Sequence, residues 1–295
     1  PSVSPRAAPC SRGGGRAAPT TSYRRIAMTT LQISLLALVQ GITEFLPISS
    51  SGHLILVPVV TGWSDQGLLL DVAVHVGTLG AVVGYFSRDI GLMLRGLARD
   101  WNGGLVTEPG RRLLAQLALA TVPVVLAGAL LAAAGGAGLR SVAVIGWASL
   151  IFGLLLYAAD RWAPRRRRIE GMTFGSALLI GLAQVAALIP GTSRAGVTMT
   201  AARVLGFERP DAAHFSMLLA IPTILAAGTL MAVHIYRLGE AALGADALLG
   251  AALAFVSAWI AIALLMRWLR HASFTPFVIY RCVLGLLLLL YAYGG

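Results

Sequence analysis

The stretch Gln40-Gly41-Ile42-Thr43-Glu44-Phe45-Leu46-Pro47-Ile48-Ser49-Ser50-Ser51-Gly52-His53 decides how this chain is read. An apolar segment at about 31 to 46 runs into a proline and a cluster of small hydroxylated residues, then turns apolar again for only about ten residues. The setting is a bilayer. The 295 residues are 57% hydrophobic and 12% charged, with a mean hydropathy of +0.80, whereas a soluble domain carries roughly 25% charged residues. At membrane depth a broken backbone is tolerated only where protein buries it or a wet cavity satisfies its N–H and C=O groups. The break therefore points to an internal polar site.

A second apolar segment, about 174 to 189, ends the same way. Leu46-Pro47-Ile48-Ser49-Ser50 matches Ile189-Pro190-Gly191-Thr192-Ser193 as apolar, Pro, any, Ser/Thr, Ser at a spacing of 143 residues, close to half the chain, and Gln40 corresponds to Gln184 if one gap is allowed. The remaining apolar segments lie at about 70 to 86, 113 to 134, 141 to 159, 213 to 235, 246 to 266 and 275 to 293. Roughly 20 apolar residues cross the hydrocarbon core, so all six read as spans, 70 to 86 being the shortest. Each half is then one re-entrant pair followed by three spans, and an odd number of crossings inverts the second half. The expected fold is an all-α polytopic membrane protein: six transmembrane helices plus two re-entrant helix hairpins in an inverted-topology repeat. It forms a single membrane domain from 28 to 295, with half-repeats of about 28–160 and 161–295.

All 23 basic residues are Arg, against 12 acids, for a formal charge of +11. Loops 87 to 112, 160 to 173, 206 to 212 and 267 to 274 hold thirteen of them, while Arg140 and Arg237 are alone on the opposite face. That asymmetry places the Arg-rich loops in the cytoplasm and both ends of the core outside. Arg165 to Arg168 reads as part of this orientation signal. Residues 1 to 27 hold five Arg, no acid and much Pro, Gly, Ala and Ser. They read as a disordered tail, an upstream extension of a chain beginning at Met28, with a transit peptide as the competing reading. Cys10 and Cys282 offer no plausible bridge, which excludes a disulfide scaffold or a Cys-based zinc site. The Arg flank apolar spans without interleaved aromatics, which excludes nucleic acid as a partner.

Polar residues inside apolar segments are costly, and ionisable ones are functional candidates. In the first hairpin they are Gln40, Thr43, Glu44, Ser49, Ser50, Ser51 and His53; in the second, Gln184, Thr192, Ser193, Arg194, Thr198 and Arg203. Gln40 and Glu44, four apart, share a helix face. Ser49-Ser50-Ser51-Gly52 leads into a helix starting near His53, and Arg194 occupies the matching start in the other half. Two helix N-termini, several hydroxyls and an Arg fork describe an anion site, most naturally for phosphate. Ser50 and His53 are close enough for the imidazole to take the hydroxyl proton, with Glu44 orienting the ring or holding a divalent cation. A bare Glu44–Arg194 ion pair is the plainer reading, but it leaves the three serines and the glycine unexplained. His75, His214 and His234 read as packing residues, Asp71 as an interfacial cap, and Arg203 and Arg281 as side chains that snorkel to the cytoplasmic face, Arg203 also being a candidate for the route to the site.

The stretch Leu38 to Leu54, together with Pro190-Gly191-Thr192-Ser193-Arg194-Ala195-Gly196-Val197-Thr198, closely resembles the undecaprenyl-diphosphate phosphatase family of the bacitracin-resistance type. The resemblance runs from about Met28 to the C-terminus and includes Phe215-Ser216, Pro222 and Pro276 to Arg281. It implies a bacterial inner-membrane phosphatase that converts undecaprenyl diphosphate to the monophosphate carrier lipid of peptidoglycan synthesis, with Mg²⁺ or Ca²⁺ dependence and a site open to the periplasm. The first acid of the family's E-x-x-x-E pattern is Gln40 here and the second is Glu44, so Gln40 is at most a weak metal ligand. The P-G-x-S-R-S-x-x-T pattern holds except at Ala195. Glu44, Ser50, His53 and Arg194 are the expected catalytic set, and Ser49, Ser51, Gly52, Gly191, Thr192, Ser193 and Thr198 the expected substrate-binding set. The expected mechanism has the cation bridging Glu44 and the diphosphate, Arg194 neutralising the phosphoryl group, and Ser50 attacking with His53 as base; phospho-His53 or a metal-bound water stays open as nucleophile. A lipid-carrier flippase or transporter of inverted-repeat type is the alternative. Oligomeric state is left open, a homodimer included.

Overall fold

The computed structural model describes residues 28–64, 66–98, 108–134, 141–237 and 244–294, apart from the His234 side chain. The tail of residues 1 to 27, Arg99, Arg140 and the packing role of His234 fall outside the described residues. The helices are α1 (Thr30–Phe45), α2 (Ser50–Thr61), α3 (Gly67–Tyr85), α4 (Ser87–Ala98), α5 (Pro109–Ala133), α6 (Val142–Trp162), α7 (Phe174–Gln184), α8 (Arg194–Val204), α9 (Arg209–Arg237), α10 (Ala245–Leu269) and α11 (Thr275–Tyr293). Short 3₁₀ turns lie at Ile169–Gly171 and Val185–Leu188, and one isolated bridge joins Arg167 to Phe207. Among the described residues six helices are long and apolar enough to cross a membrane: α3, α5, α6, α9, α10 and α11. They coincide with the six spans read from hydropathy.

Of the other five α-helices, four form two pairs, α1 with α2 and α7 with α8, and each of these is too short to cross alone. Thr29 caps α1 by accepting from the Gln32 amide, and Thr173 caps α7 by accepting from the Ser176 amide. Proline ends the first of each pair because its ring forces the preceding residue out of the helical region; Leu46 and Ile189 are both extended. The halves pack reciprocally: α1 lies on α10 of the second half, and α7 lies on α5 of the first. Both contacts rest on a glycine. A Cβ at Gly41 would collide with Ala254 and Ser257, and one at Gly181 with the Ala120 backbone. Close helix approach through small residues is how packing develops inside a bilayer, where apolar surface alone provides no drive.

The α4 helix is a departure from the sequence reading, which took 87 to 112 as loop. Its Arg88 and Arg95 are exposed on one face, while Met93 and Gly96 are buried on the other, the side that also carries Asp89. A buried ion cluster ties the Arg-rich end together. Asp160 at the end of α6 accepts from Arg209 at 2.6 and 2.8 Å, from Arg203 at 3.4 Å and from the Phe274 amide at 3.2 Å. Arg203 also donates to the carbonyls of Ala163, Pro164 and Phe207. It is therefore fully buried, and neither snorkels nor lines a route to the site.

Candidate active site

Ser49 (φ 75°) and Ser193 (φ 71°) are the only non-glycine residues with positive φ among those described. Each caps the second helix of its pair, the Ser49 hydroxyl accepting from the Gly52 amide at 3.4 Å and that of Ser193 from the Gly196 amide at 3.0 Å. Such conformations cost of order 1–3 kcal/mol and persist where the surroundings over-determine them. These caps correct the internal register. Thr29 and Thr173, Gln40 and Gln184, Ser49 and Ser193, and Gly52 and Gly196 all stand 144 residues apart without a gap. The spacing of 143 followed the two prolines, which are displaced from one another by one position.

In this register Ser50 and Arg194 are equivalent, each the first residue of its helix, and both reach Glu44. The Ser50 hydroxyl donates to Glu44 Oε2 at 2.6 Å, and Arg194 Nη2 donates to Oε1 at 3.2 Å. Arg194 is braced through Nη1 on the Ser216 carbonyl at 3.0 Å. The Gln40 amide donates to Glu44 Oε2 at 3.0 Å, and His75 Nε2 stands 3.9 Å from the same oxygen. Glu44 is buried, at 8% exposure, so this polar cage replaces the water a carboxylate would otherwise need.

The cage opens on a cavity of about 240 Å³. Its polar wall carries Glu44, Ser49, Ser50 and Ser51 from the first break, then Gln184, Ser193 and Arg194 from the second. His75 and Thr223 complete it from α3 and α9. The facing wall is apolar, with Val72, Val124, Leu188, Ile224 and Met231.

Several expected site residues are elsewhere. His53 is outside this cavity: its Nδ1 lies 2.7 Å from the Ser49 carbonyl and its Nε2 2.5 Å from the Tyr280 hydroxyl, on which the ring stacks. A carbonyl can only accept, so Nδ1 carries the proton there, and the hydroxyl of Ser50 goes to Glu44 instead of His53. Gln40 gives its amide nitrogen to Glu44 and lies off the cavity wall, its buried Oε1 having no hydrogen-bond partner among the described residues. Gly52, Gly191, Thr192 and Thr198 also sit behind the wall. The Thr198 hydroxyl bonds the Arg194 carbonyl at 2.9 Å and meets the Ser216 hydroxyl at 2.6 Å, which fixes the start of α8.

Arg281 was expected to reach the cytoplasmic face and does the reverse. Fully buried, it donates to the carbonyls of Pro47 (3.2 Å), Gly191 (3.0 Å) and Thr192 (2.8 Å) in the two breaks, and to Ala148 and Ser149 in α6. One guanidinium thus satisfies the carbonyls that both breaks leave free. His75 is the other residue the sequence reading passed over. Its Nδ1 sits 2.7 Å from the Asp71 carbonyl, which turns Nε2 toward Glu44. The available signal was a histidine inside an apolar span. His214, read as packing, does stack on Phe86 and also pairs with Asp89 at 3.2 Å.

A family model described as bacitracin resistance protein BacA matches residues 33–287. The undecaprenyl-diphosphatase of Ruegeria pomeroyi is 54% identical over 268 residues, which cover 90% of this chain and 100% of that protein. Undecaprenyl-diphosphatase 1 of Rhodospirillum rubrum is 50% identical over 275 residues, 91% of this chain and 97% of that one. The undecaprenyl-diphosphatase of Chromohalobacter salexigens is 48% identical over 264 residues, 90% and 99% of the two chains.

Proposed function

The chain belongs to the family of bacitracin resistance protein BacA, and from that premise we propose that it is a multi-pass membrane phosphatase hydrolysing undecaprenyl diphosphate to undecaprenyl phosphate and inorganic phosphate in the cavity beside Glu44. The observation that carries the assignment of the site is the convergence of Ser50 and Arg194 on the two oxygens of one buried carboxylate. A carrier needs groups that bind. A hydroxyl hydrogen-bonded to a carboxylate and faced by a cation is also equipped to react.

The Ser50 oxygen attacks the terminal phosphorus and gives its proton to Glu44, 2.6 Å away. The bond from phosphorus to the bridging oxygen breaks, and undecaprenyl phosphate leaves. Water then attacks the phosphoserine, and the departing Ser50 oxygen recovers its proton from Glu44. Arg194 balances Glu44 in the free protein; turned to the phosphoryl group, it neutralises charge on the equatorial oxygens and frees Glu44 to act as base. His53 acts through backbone, since its bond to the Ser49 carbonyl holds the strained residue that places Ser50.

A divalent cation fits this donor set in one way. Among the described residues no three His, Cys, Asp or Glu side chains cluster as a metal cage, and Glu44 is the carboxylate on the cavity wall. Mg²⁺ commonly binds through one or two carboxylates plus substrate phosphates, so Glu44 would hold it with the diphosphate supplying the other oxygens. Bound there, it would neutralise phosphate charge and polarise the phosphoryl oxygens.

The two helix pairs are read as re-entrant, meeting near the midplane with the cavity open to the periplasm and the ends of the core outside. The cavity's apolar wall supports this, for besides Leu188 of the second break it takes Val72 from the N-terminal half of α3, Val124 from the C-terminal half of α5, and Ile224 and Met231 from the C-terminal half of α9, the halves away from the Arg-rich loops. That wall is placed to take the first isoprene units.

The test is phosphate release from C55 prenyl diphosphate by the detergent-purified protein, with and without Mg²⁺, beside Ser50→Ala and Arg194→Ala. Metal-stimulated release that both variants lose supports the reading. A folded wild type that releases nothing rejects it and makes lipid transport the activity to assay.

A further inference from the structure

Gln184 is fully buried at the end of α7, on the polar wall of the cavity. The Thr223 hydroxyl approaches its Oε1 at 3.4 Å, but its Nε2 has no hydrogen-bond partner among the described residues. Buried polar groups are nearly always paired, and one that is not calls for an explanation. The first half provides it. Gln40, the counterpart of Gln184 by 144 residues, gives its amide nitrogen to Glu44 at 3.0 Å. The position that answers to Glu44 in the second half is Leu188, which has nothing to accept. The amide nitrogen is thus paired in one half, where Gln40 Oε1 is the atom without a partner among the described residues, and unpaired in the other, where it faces a cavity that also holds Arg194, Ser50 and Ser193. What completes it is a ligand rich in acceptors.

We propose that Gln184 binds substrate, its amide nitrogen donating to a phosphoryl oxygen of the diphosphate. The ligand then supplies to Gln184 what Glu44 supplies to Gln40. The assignment rests on the phosphatase reading for the identity of the ligand, while the unpaired amide and its place on the wall are independent of it. Arg194 and Gln184, from consecutive helices of one pair, offer the phosphate a charged and a neutral donor.

The experiment uses the full chain in detergent with Gln184→Leu and Gln184→Glu, and two readouts. One is the rise in melting temperature on adding inorganic phosphate, which needs no turnover; the other is kcat and KM for C55 prenyl diphosphate. Gln184→Leu removes an unpaired buried amide, so it should melt at or above the wild-type temperature while losing most of the phosphate-induced rise. Its kcat/KM should fall about 10- to 100-fold, the range for a hydrogen bond to a charged group. Gln184→Glu should lose the rise entirely and fall further in kcat/KM, because a carboxylate there repels the anion. The proposal is overturned if both variants keep the wild-type phosphate response and KM. It is equally overturned if Gln184→Glu retains activity and responds more strongly to Mg²⁺, which would make the position an oxygen ligand for the cation. A wild type that shows a Gln184-dependent phosphate response yet hydrolyses no C55 diphosphate leaves the donor standing and removes the phosphatase reading instead.

Discussion

Residues 29–61 and 173–205 use the same caps at the same spacing: Thr29 and Thr173 open the first helix of each pair, and Ser49 and Ser193, both with left-handed backbone, open the second. Between and just after these caps the side chains diverge. Glu44 answers to Leu188, Ser50 to Arg194 and His53 to Val197. The backbone of the break is shared, and the chemistry is divided. That division is electrostatically required, because two equivalent halves meeting at one point would bring two carboxylates or two guanidinium groups together in a low-dielectric interior. A hydroxyl and a carboxylate from one half and a guanidinium from the other meet without like charges.

The largest effects should come from erasing the difference. Arg194→Ser gives the second half the residue of the first and removes the cation from Glu44 and, in the proposed mechanism, from the phosphoryl group. Phosphate release should fall about 10³-fold or more, as for loss of a phosphoryl-stabilising arginine. Arg194→Lys should recover only a small part, because a point charge cannot serve Glu44 Oε1 and the Ser216 carbonyl as the guanidinium fork does. Steady-state phosphate release in detergent checks both, and a lysine variant close to wild type would show that charge alone matters.

Glu44→Leu makes the converse change. It removes the acceptor of Ser50, Gln40 and Arg194 together, and kcat should drop about 10²- to 10⁴-fold, the span of general acid–base contributions. Arg194, whose side chain is only 12% exposed, is left without its counter-charge, so the melting temperature should drop as well. A variant that keeps its stability and loses activity would mean that the pair is not held in the free protein.

How legible the comparison is in sequence depends on where the partners lie. Long apolar runs announce six spans directly, and Pro47 and Pro190 announce two breaks because small hydroxylated residues follow them, whereas Pro58, Pro123 and Pro222 lie within continuous helices. The register came out one residue short for the same reason: prolines are conspicuous letters, whereas the equivalence of Ser49 and Ser193 is carried by a dihedral angle and a hydrogen bond. The α4 helix is hidden because its exposed face holds the Arg that mark a cytoplasmic loop. Glu44, Ser50 and Arg194 are visible as costly residues beside the breaks. His75 and Arg281 are not, since Glu44 lies 31 residues from one and Pro47 234 residues from the other. Hydropathy reports how deep a side chain lies and is silent on which backbone carbonyls are waiting for it.

Arg281 connects the two breaks, and its loss should separate them. Arg281→Leu removes this donor from five carbonyls, two of which, those of Pro47 and Thr192, lie in the breaks with no backbone amide in its place. With roughly 1–3 kcal/mol at stake for each of these two buried groups, the expected loss of stability is about 2–6 kcal/mol before relaxation. Thermal unfolding in detergent measures it. A small change would mean that water or a rotated peptide replaces the guanidinium, and that the breaks hold together through α1–α10 and α5–α7 packing.

The finest probe of equivalence is the cap itself. Ser49 and Ser193 each combine a left-handed backbone with a hydroxyl that accepts from the amide three residues on. Alanine removes the acceptor and keeps the strain of a Cβ at positive φ, whereas glycine removes the acceptor and the strain together. The expected order at both positions is therefore glycine above alanine in stability, by about 1 kcal/mol, the reverse of the order in a helix interior. Ser→Gly itself should be close to neutral, since at a helix N-cap glycine costs only a few tenths of a kcal/mol relative to serine. Melting temperatures of the four variants measure the order. If glycine exceeds alanine at Ser193 and not at Ser49, the two breaks share a sequence pattern without sharing a conformation, and the 144-residue register fails where it matters most, beside Ser50. If the order and size agree, the difference in activity between Ser50 and Arg194 variants is a difference in side-chain chemistry on a common backbone.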